Sequence, residues 1–236
     1  MQAKGTLTTD GHVFLCEHPP KIFHFVLALD ASGSMKNNWY NLVDSVIAFV
    51  NNRKEIKNVD LDAAGSMSSD RSNIVDYLKS FFMNQKESKN VDKLSIIIYS
   101  NVSNIAVEYI DMSCFNPRIL KYTDGGTSFA VALKDVDKVI FDHKSKSVTP
   151  ILIFMSDGES IDGDNEMELI CSKYKNDYNF ESVFVGFGGG DFKRLEKLAE
   201  LGNGKFLKCA KDFNLKDGFM QIAASYPAKV SVKAIM

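Results

Sequence analysis

The chain has 236 residues, a formal charge of −2 and 45% hydrophobic residues, which fits one large globular domain and offers no basic face for nucleic acid. No apolar stretch approaches the roughly 20 residues that span a bilayer. The first residues, Met1 to Thr8, lack the apolar run of an export signal, so the expectation is an intracellular protein.

Residues 1–21 read as an extended entry segment closed by Pro19-Pro20. Ile22 to Leu29 is an apolar, aromatic run suited to a buried strand. Directly after it, Asp30, Ser32 and Ser34 alternate around Gly33, which relieves backbone crowding in such a turn. A carboxylate and two hydroxyls at alternating positions in an extended turn aim their oxygens at one point. Hard oxygen ligands so arranged suit a divalent cation such as Mg²⁺. The bland alternative for these three residues is a helix N-cap.

Trp39, Leu42, Val43, Val46, Ile47 and Val50 recur at three- and four-residue spacing, predicting an amphipathic helix ended by Asn51-Asn52-Arg53. Residues 53–70 are polar and read as a loop. Within it, Leu61-Asp62-Ala63-Ala64-Gly65-Ser66-Met67 nearly repeats the Asp30 turn. No buried strand precedes it and Ala64 replaces the middle hydroxyl, so it is assigned no metal. A second helix follows with the face Ile74, Tyr77, Leu78, Phe81 and Phe82, capped by Asp70 or Ser72.

Leu94 to Ser100 predicts a strand, and Asn101 to Asn104 a tight connection to a hairpin partner, Ile105 to Ile110, at the sheet edge. Thr127 to Phe141 predicts a helix with Phe129, Leu133, Val136 and Ile140 inward. Thr149-Pro150 breaks the chain before a strand over 151–156. Glu159, Asp162, Asp164 and Glu166 read as a solvated acidic loop, since they fail the EF-hand spacing. Met167, Leu169, Ile170 and Tyr174 mark a helix, 182–187 a strand, 192–201 a helix, 205–209 a short strand and 215–224 a last helix. Gly186-Phe187-Gly188-Gly189-Gly190-Asp191 hints at a dinucleotide loop, but Asp191 stands where the third glycine belongs. A helix N-terminus capped by Asp191 is the expectation. Strands alternating with helices imply a parallel sheet covered on both faces.

Cys16, Cys114, Cys171 and Cys209 are widely spaced and read as free thiols. Cys16-Glu17-His18 is half a zinc site at most, with only His12 nearby. His12, His18, His24 and His143 show no metal-ligand spacing, and His24 sits inside the first strand. Asn101-Val102-Ser103 has the form of a glycosylation sequon.

Asp30-x-Ser32-x-Ser34 after a hydrophobic strand resembles the metal-ion-dependent adhesion site (MIDAS) of von Willebrand factor A (VWA) domains. Asp124-Gly125-Gly126-Thr127-Ser128-Phe129 resembles the family's second metal loop, with Thr127 as ligand. Ile151 to Gly158 resembles the family's fourth strand and third loop, with Asp157 as the acidic member. All three appear in the family's order, and the resemblance runs from about Ile22 to about Tyr226. It implies a three-layer, Rossmann-like α/β fold. The sheet would have six mostly parallel strands in the order 3-2-1-4-5-6, with an antiparallel third strand at the edge and helices on both faces. The domain would then span 22–226, with an insert at about 53–90 between the first helix and the second strand, and 227–236 as a C-terminal tail. In that order the first and fourth strands are neighbours at a topological switch point, where open α/β sheets bind ligands. Asp30 and Asp157 lie at the ends of those two strands.

The resemblance further implies that Ser32, Ser34 and Thr127 bind Mg²⁺ or Mn²⁺ directly, while Asp30 and Asp157 act through water. Neutral hydroxyls leave much of the ion's charge uncompensated, so an open coordination position attracts a Glu or Asp carboxylate of a partner protein. The expectation is therefore a non-enzymatic, metal-dependent protein-interaction module. A phosphohydrolase with Asp30 as nucleophile is the alternative, although its mechanism wants a second Asp where Ser32 stands. A metal-free scaffold binding through the 53–90 insert is the third reading.

Overall fold

The computed structural model describes residues 4–5, 13–16, 21–62, 91–158, 160–209, 215–226 and 232–235, with the backbone path alone for 4–5, 13–16, 56–62 and 232–235. Six strands form the main sheet: β1 Ile22–Asp30, β2 Lys93–Tyr99, β3 Ser103–Asp111, β4 Val148–Ser156, β5 Glu181–Phe187 and β6 Lys205–Cys209. Their order is β3-β2-β1-β4-β5-β6. All neighbours are parallel except β2 and β3, which form an antiparallel hairpin at one edge. This is the 3-2-1-4-5-6 order that the sequence implied. The short strands Lys4–Gly5, Val13–Cys16 and Val232–Ile235 pair antiparallel in a separate three-stranded sheet, so the expected C-terminal tail contains a strand.

Among the described residues, five α-helices accompany the main sheet: α1 Trp39–Asp62, α2 Phe129–His143, α3 Asp164–Tyr178, α4 Lys193–Gly202 and α5 Leu215–Ala224. The period-two alternation of β1 decides which helices cover which face. Phe23, Phe25, Leu27 and Leu29 pack with α1 and α5. Val26 and Ala28 pack with the inward residues of α2, α3 and α4. Because helices cover both faces, β1, β2, β4 and β5 are near-continuous apolar runs rather than alternating ones.

Three expectations are corrected. Helix α1 does not stop at Arg53 but continues to Asp62. Arg53 is buried, and its guanidinium bonds Asp92 from Nε (3.1 Å) and Nη2 (2.6 Å). Nη1 donates to the carbonyls of Ala223 (2.9 Å) and Tyr226, while Phe23 and Phe25 stack against the group. A polar side chain thus continues the buried stripe by pairing, which a hydrophobic pattern does not register. Pro150 lies inside β4, opposite His24, rather than before the strand. Strand β5 joins β4 only from Ile151 onward, so the missing N–H falls where β4 has one neighbour. Leu169 points outward and is exposed, whereas Phe49, unnoticed in the sequence pattern, is fully buried in α1. The near-repeat from Leu61 to Met67 begins in the last two residues of α1; its remainder, 63–67, and the helix expected from Ile74 to Phe82 lie outside the described residues, as do the side chains of Cys16 and His18. Cys114, Cys171 and Cys209 are free thiols.

Candidate metal centre

Strands β1 and β4 are adjacent and end level, with Leu29 opposite Met155. The next residue on each strand is therefore Asp30 and Ser156. Asp30 is fully buried. Its Oδ1 accepts from the Ser32 N–H (2.8 Å) and its Oδ2 from the Ser156 hydroxyl (2.5 Å). The first bond folds the 30–32 turn back on itself; the second locks the carboxylate to the neighbouring strand.

Beyond that pair the hydroxyls gather. Ser32 Oγ lies 3.2 Å from Ser34 Oγ, and the Ser34 hydroxyl donates to Asp157 Oδ1 at 2.7 Å. Thr127 approaches from the Asp124–Ser128 loop. A Cβ placed on Gly158 would stand 3.9 Å from Ser34 Oγ and 4.0 Å from Thr127 Oγ1, so both hydroxyls flank one glycine. The structure thus brings Asp30, Ser32, Ser34, Thr127 and Asp157 to one place at the carboxyl ends of β1 and β4, the switch point of the sheet.

Two backbone devices hold the loops in register. The Gly33 N–H donates to the Gly125 carbonyl (2.9 Å), and the Tyr122 hydroxyl donates to the Ser32 carbonyl (3.2 Å). Gly125 has φ +113°, and a Cβ there would lie 2.4 Å from Asn101 Oδ1. Only glycine suits that position. On the other side, Asp162 caps α2. Its Oδ2 accepts from the Ser128 hydroxyl (2.6 Å) and its Oδ1 from the Phe129 N–H (2.8 Å). The cap fixes the residues that follow Thr127.

The acidic loop is therefore not simply solvated. Burial raises the Asp162 carboxyl, but bonds from Ser128, Ser160 and two backbone N–H groups outweigh it and hold the group below the usual carboxylate range. Asp164 is paired with Arg194 (2.6 Å) and Lys197 (2.5 Å) and ties α3 to α4. Phe192, not Asp191, occupies the N-cap of α4; Asp191, one residue earlier, accepts from the Lys193 N–H through Oδ1 (3.0 Å). Glu159 lies outside the described residues.

Electrostatically the site wants positive charge. Burial pushes the Asp30 carboxyl up, bonds from Ser156 and Ser32 oppose it, and the Asp157 charge raises it further. Burial likewise raises Asp157 against the bond from Ser34. Two carboxylates resisting ionisation beside three hydroxyls form a donor set that a hard cation would relieve. Among the described residues no three His, Cys, Asp or Glu side chains gather into a metal-sized cluster; the donors here are mostly hydroxyls. Ser156, Tyr122 and Asp162 were assigned no role from the sequence. Ser156 lies within the quoted Ile151–Gly158 segment, and its position at the end of a buried run was the available signal.

Against models of protein families, residues 59–221 match the von Willebrand factor type A domain, and the chain belongs to that family. The match begins after β1, so it includes Thr127 and Asp157, and the sheet joins them to the Asp30 turn. Among solved structures, a von Willebrand factor type A protein from Catenulispora acidiphila shares 12% identity at TM-score 0.59, covering 90% of this chain and 44% of that one. The SpRpn10 VWA domain shares 8% at TM-score 0.57, covering 89% and 100%. Proximal thread matrix protein 1 from the mussel byssus, solved with a zinc-occupied MIDAS motif, shares 14% at TM-score 0.51, covering 86% and 47%. At these identities the likeness is one of fold, and the chain spans less than half the length of the first and third. No curated protein sequence matches it.

Proposed function

We propose that this VWA domain is a protein-interaction module that holds a divalent cation, Mg²⁺ or Mn²⁺, at the β1–β4 switch point and binds a partner's Glu or Asp carboxylate through it. The observation that carries the reading is the meeting of five oxygen-bearing side chains from three loops: Asp30 holds the Ser32 N–H, Ser34 links Ser32 to Asp157, and Ser34 and Thr127 flank Gly158. The hydroxyls of Ser32, Ser34 and Thr127 would face the ion. Asp30 and Asp157 orient the two serines by the hydrogen bonds above. The cation, when bound, supplies an under-neutralised Lewis acid for an anionic oxygen. A neighbour in fold carries zinc at its own MIDAS motif, and VWA domains generally serve interaction rather than catalysis.

A thermal-shift titration tests the reading. A ligand at about 100 times its Kd adds about 2.7 kcal/mol of stability. At about 2–4 °C per kcal/mol for a domain of this size, wild type in saturating Mg²⁺ gains roughly 5–10 °C. Asp30→Ala gains nothing. Equal gains for both proteins sink the proposal.

A further inference from the structure

Among the described residues, the rim around this centre carries apolar side chains that stand exposed. Ile161 is 91% exposed, yet it sits between two residues whose side chains both turn inward. Ser160 Oγ donates to Asp162 Oδ1 (2.6 Å), and Asp162 caps α2 through Ser128 and Phe129. Ile161 therefore stands on the crest of the loop beside Thr127. Val102, 61% exposed, occupies the tip of the β2–β3 hairpin. That tip is docked on the other flank of the Thr127 loop: the Ser128 N–H donates to the Ser100 carbonyl (2.9 Å), and Asn101 packs on Gly125. Tyr40, 80% exposed, follows Trp39. The Trp39 ring meets Tyr122 at 5.9 Å, and Tyr122 in turn holds the Ser32 carbonyl.

The loop after Asp157 and the hairpin tip docked on the Thr127 loop thus each present a large exposed apolar side chain, Ile161 and Val102. Charge selects what they face. Asp157 and the exposed Asp124 make the bare rim repel acidic groups, so an acidic residue is admitted only over the ion. We infer that the occupant is a protein segment in which one Asp or Glu is flanked on both sides by aliphatic residues, the carboxylate on the ion and the flanking side chains on Ile161 and Val102. This rests on the metal-and-carboxylate reading above and adds the sequence class of the partner. Covering one such side chain is worth about tenfold in affinity.

The test titrates three amidated synthetic peptides, Gly-Leu-Asp-Leu-Gly, Gly-Ser-Asp-Ser-Gly and Gly-Leu-Asn-Leu-Gly, into the full chain with Mg²⁺, following backbone amide shifts by NMR. The Leu-Asp-Leu peptide is expected to bind about a hundredfold tighter than Ser-Asp-Ser, about tenfold for each Leu. Ile161→Ser and Val102→Ser, both at exposed positions, should each remove about tenfold of that preference while leaving Mg²⁺ stabilisation intact. Equal Mg²⁺-dependent binding of the two Asp peptides to wild type removes the apolar rim and leaves the carboxylate reading standing. Leu-Asn-Leu binding as well as Leu-Asp-Leu, or binding untouched by EDTA, removes both. Mg²⁺-dependent self-association of the chain, lost in Ile161→Ser, puts a second copy on this face and overturns the assignment.

Discussion

The Ser156 hydroxyl donates to Asp30 Oδ2 at 2.5 Å across 126 residues of sequence. Asp30 is fully buried, and this bond, with the Ser32 N–H, keeps its carboxylate in a fixed orientation. Ser156→Ala removes the donor and leaves a buried acceptor atom short of a partner, at a cost of about 1–3 kcal/mol. Because the same bond orients the centre, Mg²⁺ affinity should fall about 10- to 100-fold. Urea unfolding in EDTA reads the first effect, and a Mg²⁺ titration reads the second. Unchanged affinity would make Ser156 purely structural.

Gly158 tests whether Ser34 and Thr127 share one ligand position. A Cβ there stands at ordinary contact distance from both hydroxyls, so the backbone tolerates it. The methyls of Gly158→Val would enter the space between them. The variant should fold with wild-type urea midpoints in EDTA and lose its Mg²⁺-dependent rise in melting temperature. A full rise would show that the two hydroxyls do not meet over that glycine.

At the opposite end of the sheet, Arg53 and Asp92 form a buried pair at 2.6 Å, and Asp92 also accepts from the Phe23 N–H. Arg53→Met takes the guanidinium away from a buried carboxylate and two carbonyls, and should cost about 3–5 kcal/mol in chemical denaturation. Adding Asp92→Asn removes the buried negative charge yet keeps an acceptor for Phe23. The double variant should therefore recover part of the loss. The Mg²⁺ response should survive in both, since the pair lies far from the switch point.

His24 is buried, its Nε2 is 2.8 Å from Ser95 Oγ and its ring is edge-on to Tyr109. Burial, with His143 and Lys93 nearby, pushes its pKa from 6.5 down to about 3. The folded chain keeps this histidine neutral where the unfolded chain takes up a proton. Its contribution is fully present above 6.5 and is lost as the pH falls toward 3. One proton is worth at most about 1.4 kcal/mol per pH unit. Between pH 7 and pH 5 wild type should lose about 2 kcal/mol more than His24→Gln, measured by urea midpoints. Parallel losses would show that His24 does not carry this acid sensitivity.

Much of the architecture was readable from local pattern. The runs at 22–29, 94–100 and 182–187 became central strands, and 205–209 and 215–224 were placed to the residue. What misled the reading was polarity satisfied at a distance. Arg53 looked like the end of α1 because its partners, Asp92, Ala223 and Tyr226, are far along the chain. Asp162 looked like one member of an acidic, solvated loop because its role depends on α2 starting beside it. Pro150 looked like a breaker because its tolerance depends on where β5 begins to pair.

By itself the amino-acid order determined the alternation of strands and helices and the three oxygen-rich turns, since burial periodicity and turn chemistry act over a few neighbouring residues. Only the tertiary structure decided that Ser156 reaches Asp30, that Thr127 comes alongside Ser34 at Gly158, and that Asp162 and the β2–β3 hairpin both dock on Ser128. Those meetings depend on sheet order and register. These are set by the packing of both faces together, and no window of the chain contains them.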